Sequence, residues 1–123
     1  MRYLPALLAP AVLAALAYAF NLPQSLGAHP WWSQTVTVIG LIPGLALAAI
    51  LNRIGLSRVT AIAGTGAAML AAGVIARTGQ TRFAASYAED TLAGQMWYFG
   101  WIATCGLAAA LVAAALWPAR ANH

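Results

Sequence analysis

The sequence contains only two carboxylates, Glu89 and Asp90, and they are adjacent. Ser86 precedes Glu89 by three residues, which is the spacing of a capping box. In that motif the Ser hydroxyl and the Glu carboxylate accept hydrogen bonds from backbone N–H groups that have no partner in the first helical turn. Negative charge there also suits the positive end of the helix dipole. The pattern therefore predicts that both acids cap the start of a helix.

A second interpretation assigns these acids to binding. Adjacent carboxylates at a membrane interface can contact a cation or a partner protein, and Arg82 is near enough in sequence to serve as their counter-ion. One imidazole and two carboxylates would also suit a divalent metal, and His29 occurs in another polar segment. No other ligand-type residue is spaced around His29, so we predict no metal site. Candidate contact residues for a partner or a cation are Glu89, Asp90, His29 and Arg82.

The remaining reactive residues give little support for catalysis. Cys105 is the only cysteine and lies in an apolar segment without a neighbouring base, which predicts an inert thiol. Ionisable residues inside a membrane usually mark a proton or substrate path, and the apolar segments contain none. We therefore favour a protein that is not an enzyme and predict no resident cofactor. A bound lipid, quinone or pigment stays open because apolar contacts leave no motif.

The composition indicates that these residues belong to a membrane protein. Hydrophobic residues make up 63% of the 123-residue chain and charged residues 7%, whereas soluble proteins have roughly 25% charged residues. Four apolar segments, at about residues 4–20, 35–51, 59–75 and 97–117, are close to the length that crosses a bilayer. Their backbone must be helical, because lipid offers no hydrogen bonds. We predict an all-α protein, a single four-helix up-down transmembrane bundle, with a short interfacial helix before the fourth span.

The arginines predict the orientation of this bundle. They are scattered along the chain, so a nucleic-acid surface is not expected. An even number of spans places both termini on one side of the membrane. The side of the termini carries four arginines and the opposite side two: Arg2, Arg53, Arg58 and Arg120 against Arg77 and Arg82. Cytoplasmic loops are enriched in positive charge, which predicts both termini in the cytoplasm of a bacterial inner membrane.

Small residues indicate where helices approach closely. Gly40 and Gly44 form a GxxxG motif in the second segment, and rows of Ala and Gly with a four-residue repeat include Gly64 in the third and Gly106 in the fourth. Such rows let two backbones come into contact where lipid removes the hydrophobic driving force. We predict these four glycines to be helix-packing residues. The motif leaves open whether its neighbour belongs to the same chain.

Aromatic residues are concentrated on the side opposite the termini. Indole and phenol rings favour the layer of lipid headgroups, so we predict interface anchors. These aromatic residues are Trp31, Trp32, Trp97, Tyr98 and Trp101.

Small-residue faces, aromatic anchors and a lack of polar core groups favour an accessory subunit. We expect a non-catalytic protein that packs among lipids and other membrane subunits in a larger complex of the respiratory or photosynthetic type. An alternative is a small homo-oligomeric transporter or channel, with Gly40 and Gly44 at the subunit contact and Glu89 and Asp90 at the outer mouth. A third option is a membrane enzyme that uses His29 and the two acids with a metal.

Overall fold

The computed structural model describes residues 2–118, and this part of the chain is entirely helical, without strands. It contains one helix of a single turn and four longer helices. In chain order, the helices are α1 (Leu4–Phe20), α2 (Leu22–Ser25), α3 (Ser33–Arg53), α4 (Arg58–Ala85) and α5 (Thr91–Leu116).

Three of these helices, α3, α4 and α5, are long and apolar enough to cross a membrane. The helix α1 is also apolar but has only 17 residues. Three such helices in a chain of this size indicate a membrane protein with transmembrane helices. In α4, Arg58 and Arg77 bracket an uncharged stretch of about 27 Å, close to the ~30 Å thickness of the hydrocarbon layer. The last two turns of α4 therefore extend beyond that layer.

The helix α5 lies at the centre of the structure. It packs against α4, α3 and α1, while α1 also packs against α3, and α4 packs chiefly against α5. A central helix with neighbours on several sides needs small side chains. The buried residues of α5 are all glycine or alanine: Ala93, Gly100, Gly106, Ala109, Ala110, Ala113 and Ala114.

Polar contacts fix both ends of the helices. At one end, Arg58 Nη2 donates a hydrogen bond to the Trp117 carbonyl oxygen (2.7 Å), and the Tyr3 ring meets the Trp117 ring edge-on. At the other end, the Ser33 hydroxyl donates to the Asn21 side chain, and Gln34 Nε2 donates to the Tyr18 carbonyl oxygen (3.0 Å). The start of α1 therefore lies beside the end of α5, and the end of α1 lies beside the start of α3.

The segment before α5 differs from the prediction. We expected a loop and a short interfacial helix, but α4 continues to Ala85 and a turn of five residues leads directly to Thr91. The short helix in the described chain is α2, between α1 and α3. Polar side chains such as Arg77 and Arg82 end the apolar segment without ending the helix, because helical backbone groups bond to one another in water as well as in lipid.

Candidate functional site

The two acids lie in the turn of residues 86–90, which we call the acidic turn. The Ser86 hydroxyl accepts hydrogen bonds from the N–H groups of Glu89 (3.2 Å) and Asp90 (2.9 Å) and donates to the Phe83 carbonyl oxygen. The Asp90 carboxylate accepts from the N–H of Ala93 (3.0 Å) and caps α5. This corrects the predicted capping box: Ser86 ends α4, and the residue that caps α5 is Asp90.

An ion pair supports the acidic turn. Arg82 Nη2 lies 3.8 Å from Asp90 Oδ2, and because the two side chains are 55% and 30% exposed, the pair contributes at most about 1 kcal/mol. Glu89 is exposed. Within residues 2–118, no group of three or more His, Cys, Asp or Glu residues is placed to hold a metal ion. The predicted contact residues therefore lie in two places, with Glu89, Asp90 and Arg82 in or beside the acidic turn and His29 elsewhere.

His29 lies in an aromatic cluster formed by the loop before α3 and the start of α5. Its ring centroid is 5.2 Å from that of Trp31, 5.9 Å from that of Trp32 and 5.3 Å from that of Trp97. Its Nδ1 accepts a hydrogen bond from the Trp31 N–H (3.1 Å), and Trp97 Nε1 donates to the Gly27 carbonyl oxygen (3.0 Å). These contacts hold the loop against α5.

The predicted interface aromatics fall into three settings. Trp32, Trp97 and Tyr98 are half-buried in the aromatic cluster, where the Trp32 ring lies 5.1 Å from that of Tyr98. Trp31 is 91% exposed beside the same cluster and can anchor in the headgroup layer. Trp101 is half-buried one turn further along α5, where it lines a cavity. Most of these rings therefore hold the chain together.

The GxxxG motif packs inside the chain. A Cβ atom on Gly40 would lie 2.8 Å from the Gly106 nitrogen, and one on Gly44 would overlap the Gly106 carbonyl oxygen. Both glycines are buried, so the backbones of α3 and α5 touch at this point. The channel alternative placed Gly40 and Gly44 at a contact between subunits, and the structure contradicts that placement.

Two further packing glycines join α4 to α5 and were not among the predicted packing residues. A Cβ atom on Gly79 would lie 2.5 Å from the Trp97 nitrogen, and one on Gly100 would lie 2.9 Å from the Ala76 Cα atom. Gly79 was missed because its segment was assigned to a loop. The signal was present, since Ala72, Ala76 and Gly79 continue one row of small residues at spacings of four and three.

Gly64 does not pack within the described chain. A Cβ atom built on it would meet no atom within 4 Å, so Gly64 forms no close contact with another helix of the described chain. It belongs to a row of exposed residues on α4, at alternating spacings of four and three residues, that runs about 27 Å along the helix. We call this row the α4 stripe, and its members are Thr60, Gly64, Ala67, Ala71, Val74 and Thr78.

An apolar cavity of about 290 Å³ lies between α1, α3 and α5, and the residues of α2 also line it. Two of its polar groups are engaged within the chain, because the hydroxyl groups of Thr37 and Thr104 donate to the carbonyl oxygens of Ser33 and Gly100. Cys105 and Met69 complete this part of the wall. The cavity is partly open rather than enclosed.

Comparisons with protein-family models, with curated proteins and with solved structures find no match for this chain. The fold places it among all-helical membrane proteins. Three structural features bear on what this chain binds: the acidic turn, the α4 stripe and the apolar cavity.

Proposed function

We propose that the chain is a non-catalytic accessory subunit that packs, through α4, against a transmembrane helix of a larger complex of the respiratory or photosynthetic type. The supporting observation is the α4 stripe, which is exposed over about the full thickness of a hydrocarbon layer. Five of its six residues are Gly, Ala or Thr, and membrane helices associate through rows of such small residues because their backbones can then approach closely. A repeat of four and three residues favours a left-handed crossing of about 20°.

The contrast between two glycines supports a partner outside the chain. Gly44 meets the backbone of α5, as expected for a packing glycine in a membrane helix. Gly64 has the same small-residue surroundings on its helix but no neighbour within 4 Å. The helix α4 packs chiefly against α5 on one side, so its opposite side is available to another protein. A helix of a second subunit would bury the α4 stripe in the way that α5 buries Gly44.

The polar groups of the spans support a packing role over catalysis. A catalyst or carrier needs polar side chains that can turn towards a substrate inside the membrane. Thr37, Thr65 and Thr104 instead donate to carbonyl oxygens of their own helices. The charged residues of the described helices lie outside the apolar stretches. Such a chain offers packing surfaces without a reactive group between its helices.

The same proposal includes a four-span topology with α1 as the first span. A helix of 17 residues is about 25 Å long, and α1 runs from Trp117 at one end of the structure to Ser33 at the other. Both termini then lie on one side. Arg2, Arg53 and Arg58 are on that side, and we propose that it is the cytoplasmic face of a bacterial inner membrane. Arg120, which also entered the orientation argument, lies outside the described residues.

The test is native mass spectrometry of the chain, tagged at its C-terminus and extracted gently from its own membrane. We expect the wild-type chain to appear in a fixed ratio with larger subunits. Gly64→Leu should reduce that association at least tenfold, because its side chain fills the surface on which the partner lies. Gly73→Leu is the matched control, since Gly73 is also in α4 and also has no atom within 4 Å of an added Cβ.

Two results would contradict the proposal. One is recovery of the chain alone, and the other is equal association of the Gly64→Leu and Gly73→Leu variants with the larger subunits. Recovery as a symmetric oligomer would favour the transporter or channel, now with the α4 stripe as the subunit contact. Flux measurements in liposomes on Glu89→Gln combined with Asp90→Asn would then test the outer acidic site.

A further inference from the structure

The apolar cavity occupies one half of the membrane thickness. The residues of α5 that line it run from Trp101 to Ala109, about 12 Å along the helix axis, and those of α1 run from Pro10 to Ala17. Met69 marks its deepest level on α4, near the middle of the uncharged stretch between Arg58 and Arg77. Residues of α2 line its other end. The cavity therefore extends from mid-membrane to the interface on the side of the aromatic cluster.

We propose that this cavity binds one acyl chain of a phospholipid from that leaflet. Half of a hydrocarbon layer is about 15 Å thick, so a chain that lies along α5 matches the length of the cavity. The lining is almost entirely apolar, and such a surface disfavours water. A hydrocarbon chain can pack against this apolar wall without forming a hydrogen bond.

The polar atoms of the cavity wall favour an acyl chain over a quinone ring as the bound group. A quinone head needs hydrogen-bond donors, and in this wall the hydroxyl protons of Thr37 and Thr104 are bound to the carbonyl oxygens of Ser33 and Gly100. Trp101 is the one further lining residue with an N–H group on its side chain, so the wall offers one such donor for the two carbonyl oxygens of a quinone. The nearly apolar wall therefore favours flexible hydrocarbon, and a phospholipid of the surrounding leaflet supplies it directly.

The inference is independent of the proposed function. The cavity is lined mainly by α1, α2, α3 and α5, and no residue of the α4 stripe contributes to it. A protein that associates with no larger complex would still bind the phospholipid in this cavity. Conversely, a protein that is a subunit of a complex could have no phospholipid bound there.

The test compares two double variants of α1. Ala14→Leu with Ala17→Leu places two larger side chains in the cavity, whereas Ala15→Leu with Ala19→Leu places them at exposed positions of the same helix. Each protein is purified in mild detergent, and its bound lipid is counted and identified by native mass spectrometry. We expect about one phospholipid per chain in the wild type and the exposed variant, and at least a fivefold lower occupancy in the cavity-filling variant.

Thermal unfolding provides a second measurement. Delipidation should lower the Tm of the wild type and of the exposed variant, and phospholipid with palmitoyl chains should restore it. The cavity-filling variant should show no such shift, because leucine methyl groups replace the chain. If that variant does not fold, Ala108→Leu tests the cavity from α5, with exposed Ala103→Leu as its control.

Either of two results would overturn the proposal. Equal lipid occupancy in the cavity-filling and exposed variants would show that the lipid binds elsewhere. A stoichiometric isoprenoid quinone, lost on cavity filling, would show that the hydrocarbon comes from a different molecule.

Discussion

The helices α3 and α4 both carry rows of small residues, but only one row meets a neighbour in the chain. Gly40 and Gly44 of α3 are buried against Gly106, whereas Gly64 of α4 faces away from the rest of the chain. The difference comes from the position of the two helices around α5. The helix α3 also contacts α1, while α4 packs chiefly against α5 and leaves its far side exposed. A small-residue motif therefore indicates the ability to pack closely, and the fold decides which partner uses it.

The largest effect is expected at the buried row. Gly44→Leu would drive a side chain into the backbone of Gly106 and should lower the free energy of unfolding by about 3 kcal/mol or more. Urea or thermal unfolding in detergent, followed by circular dichroism, measures this change. A loss below about 1 kcal/mol would mean that α3 and α5 separate easily, and the contrast with α4 would then disappear.

A smaller effect is expected where α4 is joined to α5. Asp90→Ala removes the carboxylate that accepts a hydrogen bond from the first turn of α5. The loss should lower the free energy of unfolding by about 1 kcal/mol. Glu89→Ala is the matched control and should change the stability by less than about 0.5 kcal/mol, because Glu89 is exposed. Unfolding of the two variants under the same conditions separates them. Equal losses would favour the Ser86–Glu89 capping box instead.

The ion pair beside this cap should contribute less. Arg82→Gln removes the partner of Asp90, and since both side chains are partly exposed, the expected loss is about 0.5 kcal/mol or less. The difference between wild type and variant should shrink further as the salt concentration rises from low to about 1 M, because salt screens exposed charges. A difference that does not change with salt would mean that Arg82 acts through packing.

The smallest effect on stability is expected at the exposed row. Gly64→Leu in the isolated chain should leave the unfolding free energy unchanged or raise it by up to about 0.8 kcal/mol, since glycine is a poor helix former and the site has no neighbour. Unfolding in detergent, alongside Gly44→Leu, measures the contrast directly. A loss comparable to that of Gly44→Leu would show that Gly64 is already packed.

The ends of a helix could be predicted from the sequence where they coincide with the ends of an apolar segment. The segment 4–20 coincides with α1, because its apolar residues end at Asn21, where the backbone turns left-handed. The end of α4 was missed, since Arg77 and Gln80 are polar but helical. Hydropathy identifies the part of a helix that lies in lipid, and it does not register turns that continue into water.

The sequence predicted the roles of several site residues, but it did not predict which atoms they contact. The acids were expected to cap a helix, but Ser86 and Asp90 are both good capping residues, and only the turn geometry selects Asp90. The packing role of Gly40 could be inferred from its motif, whereas its contact with Gly106 depends on the parallel arrangement of α3 and α5. The cavity could not be predicted from the sequence, because its wall consists mainly of common apolar residues from five helices.

The short apolar lengths of α1 and α4 have a consequence for the surrounding bilayer. The helix α1 is about 25 Å long and the uncharged stretch of α4 about 27 Å, while an average hydrocarbon layer measures ~30 Å. If α1 spans the membrane as proposed, the lipids beside both helices thin slightly to match them. The chain should consequently partition into thinner membrane regions and be most stable among lipids with short acyl chains.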